Sequence, residues 1–204
     1  MIRNFIFDFD GTIADTFALT VKINTQLAPK FGFGLITPEH IKTFRRYGAK
    51  ALIDSLHISP PKLAQYLLAV KKEMGKQISN LKPLPGISLA VKDLKKANFI
   101  GILTSNKTEN VNLFLKANDL DIFDFVHSEK NIFGKAPVLK KLIKKYKLNS
   151  KETYYVGDEP RDIEAAKSAG LISVAVTWGF SDEDLLKSGH PDYIINKPSE
   201  LLKI

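Results

Sequence analysis

A chain of 204 residues is long enough for one domain of ordinary size carrying a small insertion. Its 44% hydrophobic and 25% charged residues exclude a disordered or fibrous protein, and the lack of any cysteine excludes a disulfide framework, thiolate metal ligands and a cysteine nucleophile. The formal net charge of +8 leaves three classes of partner open: nucleic acid, an acidic membrane surface, or a small anionic substrate.

The first apolar run, Ile2 to Phe7, has the length of a strand, and Asp8 and Asp10 end it too early for a signal peptide. No segment approaches the roughly 18 apolar residues of a membrane span, so a soluble, cytoplasmic protein without a membrane partner is expected. From about residue 16 to residue 82 the pattern is helical, with no convincing strand. Thr37 before Pro38 marks a helix start, and Leu63, Leu67, Val70 and Met74 form one apolar stripe. This segment is expected to be a helical insertion serving as a lid, returning through the stiff Lys82-Pro83-Leu84-Pro85-Gly86.

Beyond it, Phe99 to Leu103, Thr153 to Val156 and Ile172 to Val176 are apolar throughout, as strands buried on both faces of a parallel sheet are. Phe125 to His127 and Tyr193 to Ile195 are weaker strand candidates. Helical patterns alternate with them. One carries Ile87, Ala90, Val91 and Leu94; another starts at Pro160, carries Ile163, Ala165, Ala166 and Ala169, and stops at Gly170. Lys140, Lys141, Lys144, Lys145 and Lys147 interleave with Val138, Leu139, Leu142 and Ile143 at helical spacing. That pattern describes an amphipathic helix with a solvated lysine face rather than a nucleic-acid site. The expected fold is a Rossmann-like, three-layer α/β core with a parallel sheet over residues 1–15 and 83–204, with a small all-helical cap over 16–82.

The strongest chemical feature is Phe7-Asp8-Phe9-Asp10-Gly11-Thr12, an apolar strand ending in two carboxylates two residues apart. Such neighbours repel and lose hydration, so a fold tolerates them best beside a cation or where one is protonated. Gly11 permits a sharp turn after the strand. Tyr155-Val156-Gly157-Asp158-Glu159-Pro160-Arg161-Asp162 repeats the scheme, and oxygen ligands of this kind suit Mg²⁺. His40, His57, His127 and His190 are scattered singly, which disfavours a zinc or iron site.

With these residues in view, the chain resembles the haloacid dehalogenase superfamily, and within it the phosphoglycolate-phosphatase-like branch with a helical cap of the C1 type. Four motifs carry the resemblance, in order: Asp8-Phe-Asp10-Gly-Thr12; Ser105-Asn106; Lys135 before Ala136-Pro137; and Gly157-Asp158 with Asp162. Lys130 and Lys140 are alternatives for the third, because Pro137 stands one place later than the family often has it.

The resemblance implies that Asp8 is a nucleophile forming an aspartyl-phosphate and that Asp10 is the general acid and base. It implies Mg²⁺ held by Asp8, the backbone carbonyl of Asp10, and Asp158, with Asp162 or Glu159 helping through water. Ser105 and Lys135 would bind and stabilise the phosphate, with Thr12 and Asn106 as supporting donors. In the lid, Arg45 and Arg46 are candidates for a substrate carboxylate or second phosphate. Phe44, Trp178 and Phe180 are expected as core or interface aromatics.

The expected function is hydrolysis of a small phosphorylated metabolite, phosphoglycolate first, by a monomer or homodimer without nucleic acid. One alternative is a phosphomutase of the β-phosphoglucomutase kind, which returns phosphate to a sugar. The other is a non-catalytic nucleic-acid-binding protein using the lysine-rich surface.

Overall fold

The computed structural model describes residues 3–34, 36–55, 58–129 and 134–204. Ile2, His57 and Lys130, all named above, lie outside the described residues.

Six strands form one parallel sheet in the order β3-β2-β1-β4-β5-β6. They are β1 (Asn4–Phe7), β2 (Phe99–Thr104), β3 (Phe125–Ser128), β4 (Thr153–Gly157), β5 (Ile172–Val176) and β6 (Tyr193–Ile195). Each strand expected from the apolar runs is present, including the two weaker candidates. Within β1 the alternation splits side chains between two cores, as a strand period of two requires. Phe5 and Phe7 face α4 (Ile87–Lys95) and α5 (Thr108–Ala117), where Ile87, Val91, Val111 and Phe114 bury with them. Ile6 faces α6 (Lys135–Tyr146) and α7 (Pro160–Ala169), among Val138, Leu139, Leu142, Ala165 and Ala166. Sheet and helices therefore form three layers. A short helix, α8 (Glu183–Ser188), follows β5.

The order of the sheet fixes where a ligand can sit. The chain runs outward from β1 to β2 and β3, then crosses to the other side of β1 to lay down β4. Neighbouring loops therefore diverge at the carboxyl ends of β1 and β4, the switch point where open α/β sheets bind ligands. Asp8 follows β1 and Asp158 follows β4, and the strands are in register there, with Phe7 opposite Val156. Two acids far apart in sequence are thus side by side.

Between β1 and α4 the regular elements among the described residues are helices, α1 (Phe17–Leu27), α2 (Pro38–Ser55) and α3 (Pro60–Gln77), with short 3₁₀ turns. Thr37 precedes α2 as expected, its hydroxyl accepting from the His40 amide at 3.3 Å. Leu19, Ile23, Leu27, Tyr66 and Met74 make a core separate from the two beside the sheet. The expected stripe on α3 is corrected at one position. Leu67 is an exposed residue, and the neighbouring Tyr66 is buried instead, edge-on to Phe31 and Phe33 with its hydroxyl on Asn24. A partner ring on the preceding 3₁₀ turn decides this, which α3's own periodicity does not reveal.

The outgoing and returning connections of these helices run side by side. The Asp15 amide donates to the Lys82 carbonyl at 3.0 Å, and the Leu84 amide to the Ile13 carbonyl at 2.9 Å.

Candidate active site

The turn after β1 is built around Asp8. Its amide donates to the Val156 carbonyl at 2.8 Å, continuing the β1–β4 ladder, and its Oδ1 accepts from the Phe9 amide at 2.7 Å. The amides of Ile13 and Ala14 both turn back onto the Phe9 carbonyl, at 2.9 and 3.0 Å. Gly11 makes this possible with φ of 71°, and a Cβ there would lie 2.3 Å from Oδ2 of Asp158. Glycine therefore serves twice, for the left-handed backbone and for the close approach of the acid.

Asp158 is fully buried, with both oxygens engaged: Oδ1 accepts from the Thr12 hydroxyl at 2.9 Å and Oδ2 from the Phe180 amide at 2.7 Å. The Thr12 hydroxyl, expected as a supporting donor to phosphate, here donates to Asp158. Trp178 binds the same turn, its indole N–H donating to the Thr12 carbonyl at 3.2 Å. Phe180 packs against Phe17 and, edge-on, Phe44, so the aromatics are contacts between the helical segment and the core, as expected.

Lys135 opens α6 and is 5% exposed, with its ammonium 2.7 Å from both Oδ2 of Asp8 and Oδ1 of Asp162. Burial alone would lower its pKa, but the charges of Asp162 and Asp8 outweigh that and hold it well above the usual lysine value. Asp162 stands at the third position of α7, where its Oδ2 accepts from the Glu159 amide at 3.1 Å in a reciprocal capping arrangement. Both of its oxygens are thereby spent on Lys135 and the helix start. Gly157 leaves room for it, since a Cβ there would fall 2.5 Å from the Asp162 side chain.

Asp10 lies half-buried beside them. Its Oδ2 accepts from the Asn106 carboxamide, while Oδ1 is buried without a partner. Burial, then the charge of Asp8, pushes its carboxyl up to about 7. Burial is also the largest influence raising the carboxyls of Asp8 and Asp158.

Nearest atoms of Asp8, Asp158 and Asp162 all lie within 4.8 Å of one another, and all three residues are buried. Lys135 offsets only part of that charge. The donors are hard oxygens and the carboxyls of Asp8 and Asp158 are raised by desolvation, so the cluster fits a small divalent cation.

Ser105 and Asn106 follow β2, next to β1, and the Asn106 amide is fixed by Thr104 Oγ1 at 3.0 Å. Of the two arginines singled out in the sequence, Arg45 lies 5.0 Å over the Phe17 ring and Arg46, exposed, lies 5.6 Å over Tyr47. The structure brings neither into contact with the acids. Two other cations are near instead. Arg161, one residue before Asp162, pairs with Glu159 and keeps its Nε buried without a partner. Lys71 of α3 reaches across to the Ser105 carbonyl at 2.5 Å. Arg161 stands inside the Gly157–Asp162 motif, whereas nothing in the sequence around Lys71 marks it.

Comparison with known proteins places the chain in a family. The family model described as haloacid dehalogenase-like hydrolase matches residues 5–176. A phosphoglycolate phosphatase of Synechococcus elongatus is 34% identical over 97% of this chain and 94% of its own length. A pyrophosphatase of Bacillus mycoides is 34% identical over 56% of this chain and 55% of its own. Among solved structures, a haloacid dehalogenase-like family hydrolase from Streptococcus pneumoniae superposes with a TM-score of 0.83 at 22% identity, covering 99% of this chain and 97% of that one. That last likeness is one of fold.

Proposed function

Because this chain belongs to the haloacid dehalogenase-like hydrolases and is a phosphatase among them, we propose that it hydrolyses small phosphomonoesters through an aspartyl-phosphate on Asp8. The observation that carries this reading is the division of labour between two neighbouring acids. Asp8 lies against the ammonium of Lys135, whose charge opposes the rise that burial causes, while burial and the charge of Asp8 push Asp10 toward the protonated form.

Asp8 attacks phosphorus, and the bond to the ester oxygen breaks. Asp10 gives its proton to the leaving alkoxide, which departs as the alcohol. The Asp10 carboxylate then takes a proton from a water whose oxygen attacks the same phosphorus, restoring Asp8 and releasing inorganic phosphate. Lys135, kept charged and fixed by Asp162, stabilises charge on the transferring oxygens, and the Ser105 hydroxyl donates to one of them. Asn106 orients Asp10.

Asp8, Asp158 and the Asp10 backbone carbonyl would hold Mg²⁺, with Asp162 and Glu159 behind them; when bound, the ion screens carboxylate from phosphate. Residues 16–82 act as a lid over this centre, hinged at their paired connections. A cytoplasmic location fits a chain without cysteine, and among the described residues no helix is long and apolar enough to cross a membrane.

Phosphoglycolate is the first substrate to try, supported by the name of the Synechococcus relative. The test is a phosphate-release screen over phosphorylated metabolites with Mg²⁺ and with EDTA. Mg²⁺-dependent release from at least one phosphomonoester is the expected result; no release from any of them overturns the reading.

A further inference from the structure

One short segment meets both the inserted helices and the buried acids. It is the connection from β5 to α8, which carries Trp178, Gly179, Phe180 and Asp182. Towards the sheet it holds the reaction centre: the indole N–H of Trp178 donates to the Thr12 carbonyl at 3.2 Å, and the Phe180 amide donates to Oδ2 of Asp158 at 2.7 Å. Gly179 presses on the same acid so closely that a Cβ there would overlap the Asp158 side chain. Asp158 therefore cannot turn unless this segment shifts.

Towards the helices the segment is held in turn. The Phe180 ring lies 5.5 Å from Phe17 of α1 and, edge-on, 5.9 Å from Phe44 of α2. The Asp182 amide donates to the Arg45 carbonyl at 2.9 Å. Arg45 stands inside α2, where a carbonyl ordinarily accepts from the amide four residues on. That helical bond would have to pass Gly48, whose φ of 82° and ψ of 176° lie outside the helical region and divide α2 into two helices at a kink. Such backbone is open to little but glycine. The kink thus leaves the Arg45 carbonyl turned to the core, and it brings Gly48 to α8, where a Cβ would lie 3.9 Å from Leu185.

We propose that the 178–182 segment couples the seating of α2 to cation binding, with Gly48 as the positioning residue on the helical side. With α2 docked through the Arg45 carbonyl and Phe44, the Phe180 amide keeps Asp158 fixed, and an arriving divalent cation bears no cost of ordering its ligand. With α2 undocked, the segment and Asp158 loosen together and the cation is bound more weakly. Linkage is reciprocal, so the bound ion favours docked α2 to the same extent. The inference rests on the acidic cluster being the cation site and adds a control of that site from the inserted helices.

The test uses the full chain in EDTA and in Mg²⁺ titration, with Trp178, the single tryptophan, as a reporter inside the segment. Gly48→Ala favours a continuous helix and disfavours the kink. It is expected to raise the Mg²⁺ Kd, read by calorimetry, at least about fivefold. In the same variant Trp178 emission in EDTA is expected to shift, and the Asp182 amide, protected from hydrogen exchange in the wild type, is expected to exchange rapidly. Phe44→Leu removes the edge-on ring without touching the kink; it is expected to move the Kd and the emission in the same direction, and it carries the test should Gly48→Ala not fold. In the wild type, Mg²⁺ is expected to slow exchange at Asp182 further. A merely structural role for Gly48 lowers Tm but leaves the Mg²⁺ Kd and Trp178 emission of the folded protein unchanged, which overturns the proposal. Wild-type protein that binds Mg²⁺ with a Kd shared by both variants sinks this inference alone; wild-type protein that binds no Mg²⁺ sinks the cation-site reading beneath it.

Discussion

The ammonium of Lys135 lies 2.7 Å from Oδ2 of Asp8, and both side chains are 5% exposed. Neither charge has water to fall back on, so each depends on the other. Removing one partner of a buried pair costs about 3–5 kcal/mol, because the survivor stays buried and unpaired. Lys135→Met is accordingly expected to destabilise the metal-free protein by an amount in that range, read from urea unfolding, and to abolish detectable phosphate release. Unchanged stability would show that the pair is not formed in solution.

Asp8→Asn removes negative charge from a crowded acidic cluster and keeps the side-chain volume. The expected protein still folds in EDTA, because Lys135 keeps Asp162 as a partner, but it forms no phosphoenzyme, because an amide is a poor nucleophile. Mass spectrometry of acid-quenched enzyme checks this. A phosphorylated Asp8→Asn chain, shown not to be deamidated, contradicts the assignment.

For Asp10→Asn the loss depends on the leaving group. General acid catalysis contributes about 10²- to 10⁴-fold, and most where the departing alkoxide is basic. Alkyl phosphates should lose close to that full factor and para-nitrophenyl phosphate far less. A uniform loss across both speaks against Asp10 as the acid.

Stability should also depend on pH in a direction unusual for acids. The Asp10 carboxyl is pushed up to about 7 by burial and by Asp8, and burial raises Asp8 and Asp158 as well. Folded protein therefore retains protons that the unfolded chain releases near pH 4. Where the folded state binds more protons, stability falls as pH rises. In EDTA, Tm is expected to be lower at pH 8 than at pH 5.5, and Mg²⁺ is expected to raise it more at the higher pH. Equal values at both pH settings, with and without the ion, would count against the acidic cluster as a cation site.

Gly11→Ala tests the turn. The left-handed backbone at φ of 71° costs a residue with a Cβ about 1–2 kcal/mol, and that atom would lie 2.3 Å from Asp158 Oδ2. Asp158 has to shift, so the Mg²⁺ concentration for half-maximal activity should rise severalfold. An unchanged Mg²⁺ requirement argues that Asp158 is not a ligand.

Much of this was legible in the sequence because the chemistry sits where patterns change. Asp8, Ser105 and Asp158 each stand just past an apolar run, and a parallel sheet puts such positions on one edge. The partners of those residues were less legible. Thr12 was a candidate phosphate donor, and its hydroxyl donates to Asp158, which stands just past a strand that β1 meets only after folding. Lys71 reaches the Ser105 carbonyl from α3, a contact between distant segments that the pattern of α3 alone does not reveal. The arginines drew attention by their forked chemistry, yet α2 places them over Phe17 and Tyr47. Residue type announces a reaction more readily than it announces which neighbour will hold it.

Lys82 and Ile13 accept hydrogen bonds across the neck where the polypeptide leaves the sheet layers and comes back. With both ends of the excursion stitched together at one spot, the sheet is indifferent to how large a helical unit hangs beyond that stitch. Swapping the unit for one of another size would need no rearrangement of the strands beneath.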